Sequence, residues 1–257
     1  MIFLKLGGSL ITEKSQTENA RRDVIERLAR EIQEVRRASP DLTILLGHGS
    51  GSFGHHAAKK FGTHLGASTG EDWDGFTAVW KAANSLHRIV MDSLLAADLP
   101  VISFPPSASA IAQNGELKSL AIQPIELALL NGLIPVTHGD VVFDDSLGSA
   151  IASTEAVFLY LAESMKPDRI LLAGRTPGVY DRSGNILPSL TPAELDELTF
   201  AATEKRDVTG GMESKVKYAF TFARRFPGTE VRIFSGEAPD QLRDVLLGLP
   251  QGTRITE

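Results

Sequence analysis

The chain has 257 residues, a net charge of −6 and a pI of about 5.6, which argue against a general nucleic-acid binder. It contains no cysteine, so disulfides and thiolate metal sites are excluded. No apolar run reaches the ~18 residues of a transmembrane helix, and the N-terminus lacks the features of a signal peptide. We therefore expect a cytoplasmic protein that binds neither nucleic acid nor membrane.

The first predicted strand covers residues 2–6 and ends in a glycine turn. Lys5 interrupts its apolar run, and Gly7, Gly8 and Ser9 follow at once. A lysine in this position can direct its ammonium group toward a ligand in the turn, or it can be an edge-strand lysine in water. A polar loop with Lys14 comes next. Apolar residues at helical spacing then predict a helix over residues 21–37.

The second strand ends near residue 46 and leads into a stretch with glycine at positions 47, 49, 51 and 54. We predict a loop here, followed by a helix that starts near Ala57. A strand, a glycine loop and a helix start are the general arrangement for anion binding, although many such turns bind nothing. His55 lies where the loop meets the helix, with His56 beside it. The stretch is neither a Walker A loop nor a dinucleotide fingerprint in the expected context.

A long helix is predicted over residues 72–97, and its apolar stripe contains both tryptophans of the chain. The stripe consists of Trp73, Phe76, Val79, Trp80, Ala83, Leu86, Val90 and Leu94. Such a stripe is more typical of a core or a subunit interface than of a ligand wall. Further along, we predict strands at residues 100–104 and 134–137 and helices at residues 122–131 and 149–165.

The second half of the chain repeats the alternation of strand and helix. Predicted strands cover residues 169–173 and 231–234, and predicted helices start at Pro192, near Met212 and at Gln241. This order predicts an α/β protein with a mainly parallel sheet and helices on both faces.

Glycine turns follow several of the predicted strands. In a parallel sheet the carboxyl ends of the strands share one edge, so these turns should converge on one cleft. They lie at residues 7–8, 47–54, 139, 174–178 and 236. Four basic side chains from distant parts of the chain accompany them, namely Lys5, Lys14, His55 and Lys215. This pattern favours two phosphate groups held face to face.

Six motifs spread over nearly the whole chain resemble those of the amino acid kinase superfamily, and they occur in the same order along the chain. They are residues 5–9, 49–55, 135–141, 161–169, 178–181 and 207–215. Within the superfamily, Ser52-Phe53-Gly54-His55 resembles the isopentenyl phosphate kinases, and fosfomycin kinases are similar there. The resemblance implies a three-layer αβα sandwich with a mainly parallel central sheet, the amino acid kinase-like fold. It also implies one kinase domain over residues 1–257, with an acceptor-binding lobe at 1–165 and a nucleotide-binding lobe at 166–257.

The activity implied by the resemblance is direct phosphoryl transfer from ATP to isopentenyl phosphate, a small isoprenoid monophosphate, which gives the diphosphate. ATP and Mg²⁺ are the implied cofactors, with no metal ligand assigned to the protein, and a homodimer is the implied assembly. A phosphate acceptor is already ionised, so the reaction needs positioning and charge neutralisation more than a general base. The alternatives are a kinase for another small phosphate or phosphonate, and a nucleotide or phosphate sensor without turnover.

The resemblance also assigns site residues. The implied catalytic residues are His55, Lys14, Lys5 and Lys215. Those implied at the nucleotide are Lys5, Gly7, Gly8, Ser9, Ser50, Gly174, Gly178, Tyr180, Gly211 and Lys215. Those expected at the acceptor are Gly49, Gly54, His55, Gly139 and Thr154, with Phe76, Val79 and Ala83 as an apolar wall. The family's Ser-Gly-Asp-Asp segment is here Ser153-Thr154-Glu155-Ala156, so Glu155 replaces the first aspartate and the second acid is absent.

Overall fold

The computed structural model describes residues 1–13, 16–197 and 211–256. Its strands are β1 (Ile2–Leu6), β2 (Ile44–His48), β3 (Val101–Ser103), β4 (Ile111–Gln113), β5 (Glu116–Ser119), β6 (Ile134–His138), β7 (Asp140–Asp144), β8 (Gly148–Ala152), β9 (Arg169–Gly174), β10 (Ser189–Leu190), β11 (Glu230–Ser235) and β12 (Thr253–Ile255). Its α-helices are α1 (Gly8–Ile11), α2 (Arg22–Ala38), α3 (Gly51–Phe61), α4 (Gly70–Ala96), α5 (Gln123–Leu130), α6 (Thr154–Met165), α7 (Pro192–Glu197), α8 (Gly211–Arg225) and α9 (Gln241–Leu246).

The main sheet has eight strands in the order β10-β12-β11-β9-β1-β2-β6-β3. Its pairings are parallel except that between β11 and β12. The first strand lies in the middle of the sheet, between β2 and β9, and all five of its residues are buried. The prediction of a mainly parallel α/β fold is confirmed. The division into two lobes stays a prediction, because strands from both halves of the chain form this one sheet.

The side chains of β1 alternate between two hydrophobic cores. Ile2, Leu4 and Leu6 pack in the core formed with α1, α2, α4 and α9. Phe3 packs on the opposite face, in the core formed with α5, α6 and α8. The fold is therefore the expected sandwich of helices, sheet and helices. Because side chains alternate along a strand, Lys5 lies on the same face as Phe3, toward α6 and α8.

A second, four-stranded sheet in the order β5-β4-β7-β8 was missed from the sequence. No strand was predicted between residues 104 and 134, although β4 begins at Ile111. Residues 149–165 were predicted as one helix, but residues 149–152 belong to β8, and α6 begins at Thr154 after an N-cap at Ser153. The error has a physical cause: Gly148, Ser149 and Ala150 are poor strand formers, and pairing with β7 overrides their preference.

The predicted glycine loop at residues 47–54 is mostly regular structure. Gly47 and His48 complete β2, and α3 starts at Gly51, six residues before the predicted start near Ala57. A Cβ atom at Gly47 would lie 2.6 Å from Cγ2 of Thr154 and 2.7 Å from a ring carbon of Phe158. This glycine therefore permits the close approach of α6 to the sheet.

The stripe on α4 is part core and part surface. Phe76, Val79 and Ala83 are buried, as are Leu86, Val90 and Leu94, whereas Trp73 and Trp80 are 36% and 45% exposed. The aliphatic part of the stripe is therefore core, as predicted, and the alternative of a subunit interface stays a prediction for the two tryptophans. Among the helices of the described segments, none is both long enough and apolar enough to cross a membrane.

The close packing at Gly47 predicts the effect of adding one methyl group. Gly47→Ala should lower the free energy of unfolding by about 1–3 kcal/mol, because a Cβ atom would overlap Thr154 and Phe158. Urea unfolding measures this loss. The control is Gly70→Ala at the first position of α4, where a Cβ atom would meet nothing within 4 Å. Its stability should be unchanged or slightly raised. Equal unfolding midpoints for the two variants would contradict this account.

Candidate active site

The strand ends and glycine turns meet at one cleft, with a volume of about 350 Å³. It lies where β1, β2 and β6 end and where α1, α3 and α6 begin, with α8 closing one side. Many of the residues predicted from the sequence line it: Lys5, Gly7, Gly8, Ser9, Gly49, Ser50, Gly54, His55, Val79, Ala83, Gly139, Thr154 and Lys215. The parallel sheet thus brings together residues that are more than 200 positions apart in the chain.

Two glycine turns touch each other at the floor of the cleft. A Cβ atom at Gly8 would lie 2.5 Å from the backbone nitrogen of Gly51, and one at Gly49 would lie 2.8 Å from that of Gly8. A side chain at Gly8 or Gly49 would therefore force the turns apart. The N-terminus of α3 opens into the cleft here, and such a helix end favours an anion because its first N–H groups have no partner within the helix.

Thr12 fixes the contact between the two turns, and the sequence analysis missed it. Its hydroxyl donates to the carbonyl of Gly8 at 2.7 Å and accepts from the N–H of Ser52 at 3.0 Å. The same side chain thus bonds to α1 and α3. The sequence could have indicated the bond to Gly8, because Thr12 follows that glycine by four residues. Only the fold shows that the same hydroxyl also bonds to Ser52.

A buried ion pair lies at one side of the cleft. Nζ of Lys5 donates to Oε1 of Glu155 at 2.6 Å, and the two side chains are only 8% and 12% exposed. Burial raises the pKa of Glu155, but the charge of Lys5, the hydrogen bonds from Lys5 and from the backbone, and a smaller effect of the charge of Lys215 together lower the pKa below its ordinary value. Glu155 is therefore an anion at neutral pH. The strand-end Lys5 is not an edge-strand lysine in water.

Lys215 reaches the same region from α8. A Cβ atom at Gly174 would lie 2.6 Å from Nζ of Lys215, so the absence of a side chain at residue 174 leaves room for this ammonium group. The charge of Lys215 acts on Glu155 together with that of Lys5. A glutamate in the first turn of α6 therefore faces two lysines from opposite ends of the chain.

Some predicted site residues lie outside the cleft. Phe76 packs against the rings of Trp73 and Phe143, with centroids 5.5 Å and 5.2 Å apart, and is not among the residues that line the cleft. Gly178 and Tyr180 are also not among the residues that line the cleft. Gly178 lies against Thr253, and Tyr180 forms a β-bridge with Ile186. Gly211 is the first residue of α8. Lys14 lies outside the described residues.

Asp140 is a buried acid in the cleft lining that the sequence analysis did not single out. Its carboxylate accepts from the N–H of Ser107 at 3.2 Å and from that of Val141 at 2.9 Å. Burial raises the pKa of Asp140, and these hydrogen bonds oppose the rise. Because Asp140 belongs to the family motif at residues 135–141, a signal for it was present in the sequence.

Comparisons with known proteins agree with this geometry. The sequence profile of the amino acid kinase family matches residues 1–235. The chain is 34% identical to the isopentenyl phosphate kinase of Methanothermobacter thermautotrophicus, over 100% of this chain and 99% of that protein. It is 32% identical to the isopentenyl phosphate kinase of Haloferax volcanii, over 99% of this chain and 98% of that protein. A solved structure of an isopentenyl phosphate kinase superposes with a TM-score of 0.85 at 30% identity, with both chains fully covered.

The Lys5–Glu155 pair predicts a pH-dependent loss of stability. At pH 7, Glu155→Gln should lower the free energy of unfolding by about 3–5 kcal/mol, because it leaves a buried ammonium group without its counter-charge. The folded-state pKa of Glu155 is lowered. Its contribution is therefore complete above the ordinary value of 4.5 and is lost as the pH falls through the folded-state pKa. Urea unfolding over a pH series should show the two proteins converging in acid.

The matched control is Glu213→Gln, which removes an exposed carboxylate from a 2.7 Å pair with Lys217 on α8. The side chains of this pair are 71% and 44% exposed, so its loss should cost less than about 1 kcal/mol. The prediction fails if both variants lose the same stability at pH 7. It also fails if the gap between the wild type and Glu155→Gln is unchanged in acid.

Proposed function

The chain belongs to the amino acid kinase family, and we propose that it transfers the γ-phosphoryl group of ATP to isopentenyl phosphate, giving isopentenyl diphosphate. One observation carries this proposal: a single cleft combines two anion-binding regions with an apolar wall. Lys5, Lys215 and the turn at Gly7 and Gly8 form one region, and His55 lies in the other. The relatives named above carry the same activity in their names.

On the nucleotide side, the two lysines neutralise the phosphates of ATP. Phosphoryl transfer spreads negative charge over the equatorial oxygens, so fixed cations stabilise the transition state. Glu155 is a positioning residue here, because its carboxylate holds Lys5 at 2.6 Å. We assign a further transition-state contact to Lys14 from the family resemblance alone.

On the acceptor side, His55 in the first turns of α3 donates a hydrogen bond to the phosphate of isopentenyl phosphate. Gly49 and Gly139 leave room for that phosphate beside the helix. A histidine suits this place because a carboxylate would repel a second phosphate. The acceptor oxygen is already ionised, so no residue needs to remove a proton from it.

When bound together with the nucleotide, Mg²⁺ would supply charge neutralisation at the phosphate oxygens. The two buried carboxylates of the cleft already have partners: Glu155 accepts from Lys5, and Asp140 accepts from two backbone N–H groups. These residues fit a metal held mainly by phosphate oxygens and water, which is the usual habit of Mg²⁺. The homodimer and the cytoplasmic location stay predictions from the sequence.

The tail of the acceptor would lie against an apolar wall. Val79 and Ala83 line the cleft from α4, and Ala58 and Ile151 line it from α3 and β8. Apolar lining around a few polar groups is typical of small-molecule sites. This wall favours an isoprenoid monophosphate over a small polar phosphonate as the acceptor.

The activity is tested with a panel of phosphate monoesters and ATP, with the products identified by mass. Isopentenyl phosphate should be the preferred acceptor, and ATP should be consumed only when an acceptor is present. His55→Ala should lower turnover by about 10²–10³-fold, the usual cost of one donor to transition-state charge, while nucleotide binding stays nearly intact.

The neighbouring His56 provides the matched control for this test. His56→Ala should keep most of the activity, and His55→Gln, which retains a neutral donor, should lose less than His55→Ala. Near-normal turnover in His55→Ala would remove this histidine from the acceptor site. Acceptor-independent ATP hydrolysis by the wild type would instead overturn the proposed reaction.

The apolar wall predicts a change in chain-length preference. Val79→Ala should raise the rate with longer prenyl phosphates relative to the five-carbon acceptor, because each methylene that gains burial contributes about 0.8 kcal/mol. Val90→Ala, on the same face of the helix, is the control, since Val90 is fully buried in a different core cluster about three turns away from Val79. Val90→Ala should lower the melting temperature without changing the ratio of the rates with longer and five-carbon acceptors. If neither variant changes the ratio, α4 is not part of the acceptor pocket.

A further inference from the structure

Three histidines to which the sequence analysis gave no role form a buried stack beneath the cleft. His48 ends β2, His138 ends β6 beside it in register, and His87 reaches them from α4. They are 0%, 0% and 6% exposed, respectively. Their ring centroids are 4.2–5.4 Å apart, and their planes lie within 10–20° of parallel.

Two of these rings form a directed series of hydrogen bonds that ends at Gly49, in the turn between β2 and α3. Nδ1 of His48 lies 3.1 Å from the carbonyl oxygen of Gly49, and since a carbonyl only accepts, this nitrogen carries the proton. Burial lowers the pKa of His48 to about 3, so the ring is neutral and its Nε2 accepts. The donor to that Nε2 is Nδ1 of His87, at 2.9 Å.

The series of hydrogen bonds continues to the protein surface. Burial lowers the pKa of His87 to about 4, so this ring is also neutral, and its Nε2 accepts from the hydroxyl of Ser103 at 2.6 Å. Each ring has one donor and one acceptor nitrogen, and the sequence of bonds leaves only one tautomer for each. Ser103, His87 and His48, in that order, are called the histidine relay below.

The last bond of the relay acts on the peptide that joins Gly49 to Ser50. A trans peptide is planar, and its carbonyl and N–H point in opposite directions. With the carbonyl held toward His48 beneath the cleft, the N–H of Ser50 points the other way. Gly139 lies on that side, since a Cβ atom there would be 3.7 Å from the nitrogen of Ser50, and both residues line the cleft.

We propose that the histidine relay is a positioning device that locks the Gly49–Ser50 peptide with its N–H toward the bound phosphate. This proposal rests on the proposed phosphotransferase function for its effect on rate. Without the bond from His48, rotation of the peptide would turn the carbonyl of Gly49 toward the phosphate, and two electronegative groups would face each other. Glycine at position 49 makes such a rotation sterically easy.

His138 belongs to the stack but not to the relay. Neither of its ring nitrogens has a hydrogen-bond partner among the described residues, although its Nε2 lies 3.6 Å from Oδ2 of Asp140. Its ring is nearly parallel to the other two rings. The ligand nitrogens of the three histidines lie within 4.8 Å of one another, as in a metal site. However, Nε2 of His48 and Nδ1 of His87 face each other across a 2.9 Å hydrogen bond, so one of them carries a proton and has no lone pair for a metal, which favours the relay over a bound transition metal.

Substitution of His48 tests the relay. His48→Leu removes the donor to Gly49 and should lower kcat/KM for the acceptor by about 10²-fold, the scale expected for a misplaced catalytic group. The amide nitrogen of asparagine occupies nearly the position of Nδ1, so His48→Asn should recover most of the loss. His138→Phe keeps the ring stack without its nitrogens and should leave kcat/KM near the wild-type value. Failure of His48→Asn to recover, or an equal loss in His138→Phe, would overturn the proposal.

Two measurements keep this test independent of the proposed reaction. Imidazole ¹⁵N NMR of the wild type should show His48 and His87 neutral with the proton on Nδ1, and a proton on Nε2 of His48 would refute the relay. Inorganic phosphate should bind more weakly to His48→Leu than to the wild type or to His48→Asn, and equal binding would also refute it. Stoichiometric binding of Zn²⁺ by the wild type, lost in His138→Phe, would identify the stack as a metal site instead.

Discussion

The buried pair of Lys5 and Glu155 is the interaction on which the rest of the cleft depends. A lysine in the central strand of a sheet needs a partner of opposite charge, because moving an ammonium group from water into a protein interior is costly. Glu155 supplies that partner from the first turn of α6, and the charge of Lys215 acts on the same carboxylate. One carboxylate thus gives a strand lysine its counter-charge beside the phosphate-binding turns.

This pairing imposes constraints on the surrounding packing. Glu155 reaches Lys5 because α6 lies close against β2, and Gly47 makes that approach possible. Thr154, next to Glu155, donates from its hydroxyl to the backbone carbonyl of His48 at 2.6 Å, so the same helix turn is also fixed to the end of β2. The position of a catalytic charge is therefore set by a glycine and a threonine that carry no charge themselves.

The regular parts of this fold were predictable because their signal is periodic. The apolar runs of β1 and β9 have the length of a buried strand, and the apolar residues of α2 recur at the spacing of a helix. The glycine turns indicated where the cleft lies. The start of α3 was placed too late because Gly51 and Gly54 oppose helix formation on propensity alone. Their role is to let α3 pack tightly, since a Cβ atom at Gly51 would lie 2.3 Å from the hydroxyl of Thr12.

Other features depend on register, which a single sequence does not contain. His48, His87 and His138 become neighbours only because β2 and β6 pair in parallel at matching ends and α4 crosses over them. Phe76, Val79 and Ala83 lie on one face of α4, and helical periodicity does not tell what each of them contacts. It therefore could not show that Val79 lines the cleft while Phe76 packs toward Phe143. The small sheet was missed for a related reason, because its strands have five residues or fewer and gain stability from their partners.

The central place of β1 also governs how the chain can fold as it is synthesised. Ile2 pairs with Ile44 on one side and with Arg169 on the other, so the first strand made must wait for much of the chain before its second edge is covered. Until then, a five-residue apolar strand exposes a row of unpaired backbone groups, which is a template for association with other chains. Non-local pairing of this kind also slows folding, since a large loop must close before its contacts form. The topology that gathers the phosphate-binding turns at one edge therefore makes the nascent chain vulnerable to aggregation.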